Sequence, residues 1–329
     1  MPANLTPQYL KAEEAYRRAS TPEEELKCLQ EMLRELPKHK GTDKLQAELK
    51  QKISKVRKEL QSGSAGKRRA GLRIPRQGAG RVILLGGPNA GKSQFLAGAT
   101  RATPAIAEYP FTTREPAPGM MPFEDIQIQL IDTPPITRDV LDPNLLGLIR
   151  GSDLALLLVD LGSDEGPEQA QEVLDRLGAT KTRLATESYL DENDVGLSYT
   201  QTFAVPNKID LAEAPDRLEI LHEFFPWQFP EYVISAVQQT GMDELKRAIF
   251  QALDVVRVYT KEPGQKKPDM DRPYTIRRGG TLLDVAELIH KDLASNLKGA
   301  KVWGSHVHDG TLVKGDYVLH DRDIVEIHA

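Results

Sequence analysis

Gly86-Gly87-Pro88-Asn89-Ala90-Gly91-Lys92-Ser93 follows the apolar run Val82-Ile83-Leu84-Leu85. The order G-x-x-x-x-G-K-S sits between a buried strand and the start of a helix, the place for a phosphate cradle. Glycines let backbone N–H groups turn inward around a polyphosphate. Lys92 adds a point charge for the outer phosphates, and the Ser93 hydroxyl suits a magnesium ion. The whole run from Gly86 to Ser93, Pro88 and Ala90 included, is expected to line the phosphates. A glycine-rich turn that only packs a strand on a helix is the alternative.

Downstream, Asn207-Lys208-Ile209-Asp210 follows the short apolar run Thr202-Phe203-Ala204-Val205. Alone, such residues also cap helices and fill turns. After a phosphate loop they have a sharper use. The Asp210 carboxylate can accept from the ring N–H and exocyclic amine of guanine, and adenine offers no such donor pair. A buried acceptor rejects the base that leaves it unpaired, so the ligand is read as GTP or GDP. Asp132, at the tip of the apolar run 126–131, can hold a magnesium-bound water. Tyr109-Pro110-Phe111-Thr112-Thr113 lies between, with Thr113 twenty residues after Ser93. A threonine there could close onto magnesium when the γ-phosphate is present. Ser235-Ala236, after the last strand, can bring a backbone N–H to the guanine carbonyl.

Around these motifs, segments 82–85, 126–131, 154–159, 202–205 and 232–234 read as strands alternating with helices. Leu154-Ala155-Leu156-Leu157-Leu158-Val159 is apolar on both faces, as a central parallel strand must be. The pattern predicts an α/β domain over 80–260, doubly wound and mostly parallel, with ligand at the carboxyl ends of the strands. The polar stretch 162–201 has weak periodicity and no readable edges.

Residues 1–62 read as a helical region. Thr21-Pro22-Glu23-Glu24-Glu25 is a helix start, and Leu26, Leu29, Leu33 and Leu36 form its stripe. After the break at Pro37-Lys38-His39-Lys40-Gly41, Thr42 can cap a second helix carrying Leu45, Leu49, Ile53, Val56 and Leu60. Two stripes joined by a turn predict an antiparallel helical hairpin. Its outer face carries Lys38, Lys40, Lys44, Lys50, Lys52, Lys55, Arg57 and Lys58, either a solvated face or a contact for RNA phosphates. Residues 63–79 form a basic, glycine-rich linker and 261–268 a second linker. In 269–329, a strand at 272–277 precedes a helix capped by Thr281 and Asp284 and carrying Val285, Leu288, Ile289 and Leu293. Short strands at 300–303, 311–312 and 324–327 complete a ubiquitin-like β-grasp. Basic residues there (Arg277, Arg278, Lys291, Lys298, Lys301) and in the first linker (Lys67, Arg68, Arg69, Arg73, Arg76) could grip structured RNA. No aromatic stacking array supports the reading of single-stranded bases.

The chain of 329 residues has room for two or three domains and carries 28% charged residues. No apolar run is long enough to cross a bilayer, so no membrane partner is expected. The single cysteine, Cys28, rules out an intrachain disulfide and fits a cytoplasmic setting, with a packing role for the thiol. A net charge of −5 argues against a chain that coats nucleic acid, but not against a local basic patch. His306, His308, His320 and His328 lack the cysteine or acid spacing of a metal site, and polar side chains facing water are the better account.

The order Gly-x-Pro-Asn-x-Gly-Lys-Ser, Tyr-Pro-Phe-Thr-Thr, Asp-Thr-Pro, Asn-Lys-Ile-Asp, Ser-Ala resembles the Obg/DRG class of translation-factor-related GTPases. The segment from Arg272-Pro273-Tyr274-Thr275 to Asp321-Arg322-Asp323-Ile324-Val325-Glu326-Ile327 resembles a TGS domain, shared with threonyl-tRNA synthetases and stringent-response synthetases. Leu36-Pro37-Lys38-His39-Lys40-Gly41-Thr42 is similar to the N-terminal helices of DRG proteins. The glycine-rich N-terminal domain of Obg has no counterpart. The resemblance implies that Gly86 to Ser93 cradle phosphate and that Ser93 and Thr113 ligate Mg2+. It places Asp132 beside the metal, and Asn207, Lys208 and Asp210 on the base. Lys92, Thr113, Asp132 and Asn89 would carry catalysis, with Phe111 and Thr112 beside the nucleotide. Asn89 matches an asparagine that helps hold K+ against the phosphates in related GTPases, where the ion neutralises transition-state charge; a plain turn residue is the other reading. The class also implies a switch acting on the ribosome or RNA, or a GTPase dependent on a protein partner.

One position departs from the class. Asp-x-Pro-Gly is replaced by Asp132-Thr133-Pro134-Pro135. The glycine there normally donates its N–H to the γ-phosphate, and Pro135 has none. With Ile136 next in place of a water-orienting glutamine, the expected unaided hydrolysis is slow, about 10⁻⁴ to 10⁻² s⁻¹. A guanine-nucleotide sensor with little or no hydrolysis is the competing expectation.

Overall fold

A computed structural model describes residues 5–19, 22–37, 42–61, 74–100, 115–191, 197–224, 227–265 and 267–329. Two compact units emerge: Met1–Pro75, Arg81–Gly119 and Leu130–Met242 form one, and Arg76–Gly80, Met120–Gln129 and Asp243–Ala329 the other.

The first unit opens with α1 (Pro7–Arg18), α2 (Pro22–Glu35) and α3 (Asp43–Gln61). The expected hairpin is α2 and α3; α1 precedes it and packs on α2. Thr6 caps α1, its side chain accepting from the Tyr9 N–H at 3.1 Å. The Thr21 cap lies outside the described residues. The stripes meet as expected, with Leu29, Met32, Leu36, Leu45, Leu49, Ile53 and Val56 buried together beside Tyr9 and Ala12 of α1. Burial raises the Cys28 thiol pKa, which favours the protonated thiol.

Next come β1 (Arg81–Leu85), α4 (Lys92–Ala99), β2 (Ala117–Phe123), β3 (Ile126–Asp132), α5 (Pro143–Arg150) and β4 (Leu154–Asp160). The unclear stretch after Gly162 resolves into α6 (Gly166–Gly178), β5 (Thr182–Ala185), β6 (Tyr189–Leu190) and the first half of β7 (Ser198–Asn207), before α7 (Ala214–Phe224). The sheet runs β2-β3-β1-β4-β7-β5, with β6 on β7. β1 with β4, β4 with β7, and β5 with β7 are parallel. The strand expected at 232–234 is reduced to single parallel bridges, Glu231 with Ala204 and Ile234 with Asn207. β4 is buried at all seven positions, as its unbroken apolar run requires. The helices dock on the sheet's far edge through short polar ties. Glu13 accepts from the Leu190 N–H at 2.9 Å, and the Arg17 guanidinium donates to Tyr199 O at 3.0 Å. Leu190 itself enters the helical core.

The second unit contains α8 (Met242–Leu253), β8 (Val255–Thr260), β9 (Asp269–Arg277), α9 (Leu282–Ile289), α10 (Lys291–Ser295), β10 (Gly299–Gly304), β11 (Val307–Val313) and β12 (Asp323–His328). Its five-stranded sheet runs β11-β10-β12-β8-β9. β8, placed by sequence inside 80–260, therefore belongs to this sheet, parallel to β12 and antiparallel to β9. The Thr281–Asp284 capping box forms, with the Thr281 N–H donating to the carboxylate at 2.7 Å. Val285 and Leu282 are buried, but Leu288 is 54% exposed. The helix ends at Ile289, which packs against the core, and Leu293 of the expected stripe falls in the next helix, α10. His306 and His320 stack with ring centroids 3.8 Å apart, and no cluster of three or more His, Cys, Asp or Glu side chains able to hold a metal occurs among the described residues.

Candidate guanine-nucleotide site

The carboxyl ends of β1, β3, β4 and β7 carry Gly86, Asp132, Asp160 and Asn207, so chain topology alone gathers these side chains at one end of the sheet. Gly86 takes φ +152°, and a Cβ there would come within 2.6 Å of Leu158 O. Gly91 caps α4 at φ +87°, where a Cβ would stand 2.2 Å from Asn207 Nδ2. Neither place admits a side chain, and together they let the loop fold tightly over the start of α4. Asn89 holds a left-handed φ of 57°, a turn conformation that asparagine tolerates.

Lys92 is buried, and its Nζ donates to Gly86 O at 3.0 Å and Gly87 O at 2.8 Å. Burial pushes its pKa down to about 8, and Asp132 works in the opposite direction. An ammonium held by neutral carbonyls in a buried loop lacks a full counter-charge, which a phosphate supplies. The Ser93 hydroxyl donates to Asp132 Oδ2 at 2.5 Å. Ser93 and Asp132 thus fit magnesium, one as ligand and the other behind a bound water; the ion would neutralise phosphate charge.

The site's other end is a cavity of about 120 Å³ lined by Gly91, Gln94, Asn207, Lys208, Asp210, Leu211, Ala236 and Val237. Asp210 Oδ1 is buried there with no hydrogen-bond partner among the described residues. A buried, unpaired carboxylate oxygen is costly, and guanine's paired N–H donors match it. Leu211 and Val237 are 43% and 67% exposed, apolar walls of the kind a planar base covers. Asn207 is tied to protein on both ends of its amide. It donates to Ala90 O at 3.0 Å and accepts from the N–H groups of Lys208 (2.8 Å) and Ala236 (3.0 Å). It therefore clamps the phosphate loop to the base pocket. Of the Ser235-Ala236 N–H groups expected near the guanine carbonyl, that of Ala236 is given to Asn207 and that of Ser235 to Thr240 O. Ser235 shapes the same turn, accepting from the Gln238 N–H at 2.9 Å.

Sequence reasoning missed Asp160. It ends β4 and accepts from Lys208 Nζ at 2.7 Å and from the Gly162 N–H at 2.7 Å, fixing the lysine along the pocket rim. The available signal was an acid closing an otherwise apolar strand. At the switch position, the Thr133 hydroxyl donates to Leu84 O at 2.5 Å, and the Ile136 N–H donates to Gly86 O at 3.2 Å. Phe111, Thr112 and Thr113 lie outside the described residues.

The 50S ribosome-binding GTPase family matches residues 81–188, and the TGS domain family matches 256–329. A GTPase segment followed by a C-terminal TGS segment is the arrangement of the Obg/DRG-type GTPases, which this chain resembles. An uncharacterized GTP-binding protein of Methanocaldococcus jannaschii is 29% identical, over 93% of this chain and 92% of that protein. Ribosome-interacting GTPase 1 of Saccharomyces cerevisiae is 27% identical over 94% and 99%, and developmentally-regulated G-protein 1 of Arabidopsis thaliana 26% over 92% and 90%. Among solved structures, the YchF GTPase of Schizosaccharomyces pombe shares the fold, with a TM-score of 0.51, 13% identity and coverage of 77% of this chain and 99% of that one. The departure at Pro135 stands inside the matched GTPase segment. Among its described residues no helix is long and apolar enough to cross a membrane.

Proposed function

We propose that this GTP-binding chain slowly hydrolyses GTP to GDP and phosphate and acts in the cytoplasm as a nucleotide-dependent switch on the ribosome or a structured RNA. One observation carries the reading. A buried lysine without a full counter-charge and a buried, unpaired Asp210 oxygen stand in one constellation, linked by Asn207. Lys92 and the loop Gly86–Ser93 hold the phosphates, Ser93 with Thr113 holds Mg2+, and Asp132 orients a metal-bound water. Lys208 and Asp210 hold the base, and Asn89 recruits K+. The yeast relative's name, a ribosome-interacting GTPase, supports the ribosome as partner. The test is phosphate release from GTP with Mg2+ and K+, alone and with ribosomes. Turnover that disappears in Lys92→Ala and Asp132→Ala is expected, and no turnover above buffer in either setting sinks hydrolysis.

A second reading rests on the switch. Pro135 has no N–H, and that of Ile136 is already donated to Gly86 O. With neither amide offered to a γ-phosphate, the protein would sense guanine nucleotide with nearly equal affinity for GTP and GDP, or serve as a partner-dependent adaptor. Calorimetric titration separates the readings, because a strong preference for one nucleotide removes the second.

A further inference from the structure

The outer side of the α2–α3 hairpin is a groove of about 650 Å³. Its floor is apolar, made of half-buried Leu33 and buried Ile53. Its walls carry Arg34, Lys50, Arg57 and Lys58, and no acid lines it. Helix geometry explains the row. Lys50, Ser54, Arg57 and Lys58 follow at steps of four, three and one, on one side of α3, beside Ile53. Arg34 is engaged by Glu35 at 2.7 Å and approached by Glu31 at 3.8 Å. Lys50, Arg57 and Lys58 have no hydrogen-bond or ion-pair partner among the described residues. The hairpin's inner stripe is already spent on the core shared with α1 and Leu190. Ile53 belongs to that same core and Leu33 packs against it, so the groove is the core's outward rim, with three cations unpartnered among the described residues above the exposed part of Leu33.

We propose that this groove receives an acidic amphipathic helix of a partner protein, its apolar residues on Leu33 and Ile53 and its carboxylates on Lys50, Arg57 and Lys58. Two features of the groove must be matched at once. A phosphodiester backbone would satisfy the cations but leave the apolar floor without a complement, and no aromatic side chain lines the groove for a base to stack on. An acidic amphipathic helix matches both, as in helix-in-groove recognition. Charge on the rim speeds encounter and sets specificity, while the floor supplies the buried contact. The inference goes beyond the nucleotide reading and does not depend on it, since none of these residues belongs to the nucleotide site.

The test uses the full chain and a fluorescein-labelled synthetic 16-residue helix with a leucine stripe flanked by glutamates, followed by fluorescence anisotropy. Controls are the same composition scrambled to lose the stripe, and a 16-nucleotide RNA in single-stranded and duplex form. Amphipathic peptide should bind better than scrambled peptide and weaken as salt rises. Lys50→Glu with Arg57→Glu should cost about tenfold or more in affinity, as two or three weak ion pairs turned repulsive would. Ser54→Trp, which fills the groove without changing charge, should abolish peptide binding. All three positions are exposed, and unchanged helicity and GDP affinity in the variants show that fold and nucleotide site are intact. Equal binding of both peptides, or peptide binding indifferent to these variants, overturns the proposal. So does RNA binding that the double variant removes while the peptide fails to bind, which would make the groove a phosphate surface.

Discussion

Two residues make the nucleotide site testable one atom at a time. Asp210 keeps an unpaired buried oxygen, so Asp210→Asn places an amide donor where guanine also presents donors. GTP affinity should fall at least a hundredfold, while xanthosine triphosphate, which offers a carbonyl acceptor at that edge, should gain; unchanged guanine preference would show that Asp210 does not touch the base. Lys92 links the site to pH. Its pKa is 10.5 in the open chain and about 8 when folded. Between those values the unfolded chain holds more protons, so the nucleotide-free protein should gain stability as pH rises from about 8 to about 10.5. Phosphate restores the charged form, so GDP binding should take up most of one proton at pH 8.5 and weaken above it. Calorimetry in two buffers of different ionisation enthalpy reads the uptake, and Lys92→Met should erase it. Both residues were legible in sequence because each sits in a motif with a fixed chemical task. Asp160 was not, since a lone acid after an apolar strand has no partner until folding brings Lys208 to 2.7 Å.

At the scale of elements, the proposed response to a γ-phosphate rests on β3 and its exit. β3 ends at Asp132, and the chain then runs through Thr133-Pro134-Pro135 to Ile136, pinned at Leu84 O and Gly86 O. Pro135→Gly restores one N–H and frees φ. If the switch reading holds, GTP should gain about tenfold over GDP, the worth of one hydrogen bond to a charged group, and hydrolysis should rise with it. Matching titrations and phosphate release would show the change; none in either says the position is silent. The elements themselves were read where periodicity was strong. β4 is apolar throughout, and α2 and α3 carry clean stripes. Elements failed to be read where tertiary contact, not pattern, defines them. β5 and β6 have four and two residues, too short for a period, and exist because β7 offers its edge. Likewise Leu288 looked like core by spacing, but it lies in the last turn of α9, which ends at Ile289, and is 54% exposed.

For the molecule as a whole, the boundary of the C-terminal unit is the element sequence could least decide, because Val255-Val256-Arg257-Val258-Tyr259-Thr260 suits either sheet. Pairing assigns it between β12 and β9, so it is an interior strand of the TGS sheet. It also carries Arg257, which is 4% exposed. The guanidinium meets Asp321 through a two-pronged contact at 3.0 and 2.7 Å, Asp125 at 3.0 Å, and Glu124, and lies 5.2 Å from the Phe250 ring centroid. Those hydrogen bonds keep it charged, its pKa above the ordinary arginine range despite burial. A fragment starting at 269 lacks an interior strand and should not fold. A fragment from 243 restores β8 and α8, and with Arg257 the contact to Asp321, but still lacks Glu124 and Asp125, which the full chain supplies from the β2–β3 turn. It should fold with a lower melting temperature than the same unit in the full chain. Arg257→Ala in the full chain should cost about 3 kcal/mol in that unit, because three carboxylates lose their common cation. Circular dichroism of the two fragments and denaturant unfolding of the variant test the argument together. A cooperatively folded 269–329 would show that β8 is dispensable, and a silent Arg257→Ala would show that the carboxylates are held by water rather than by the arginine.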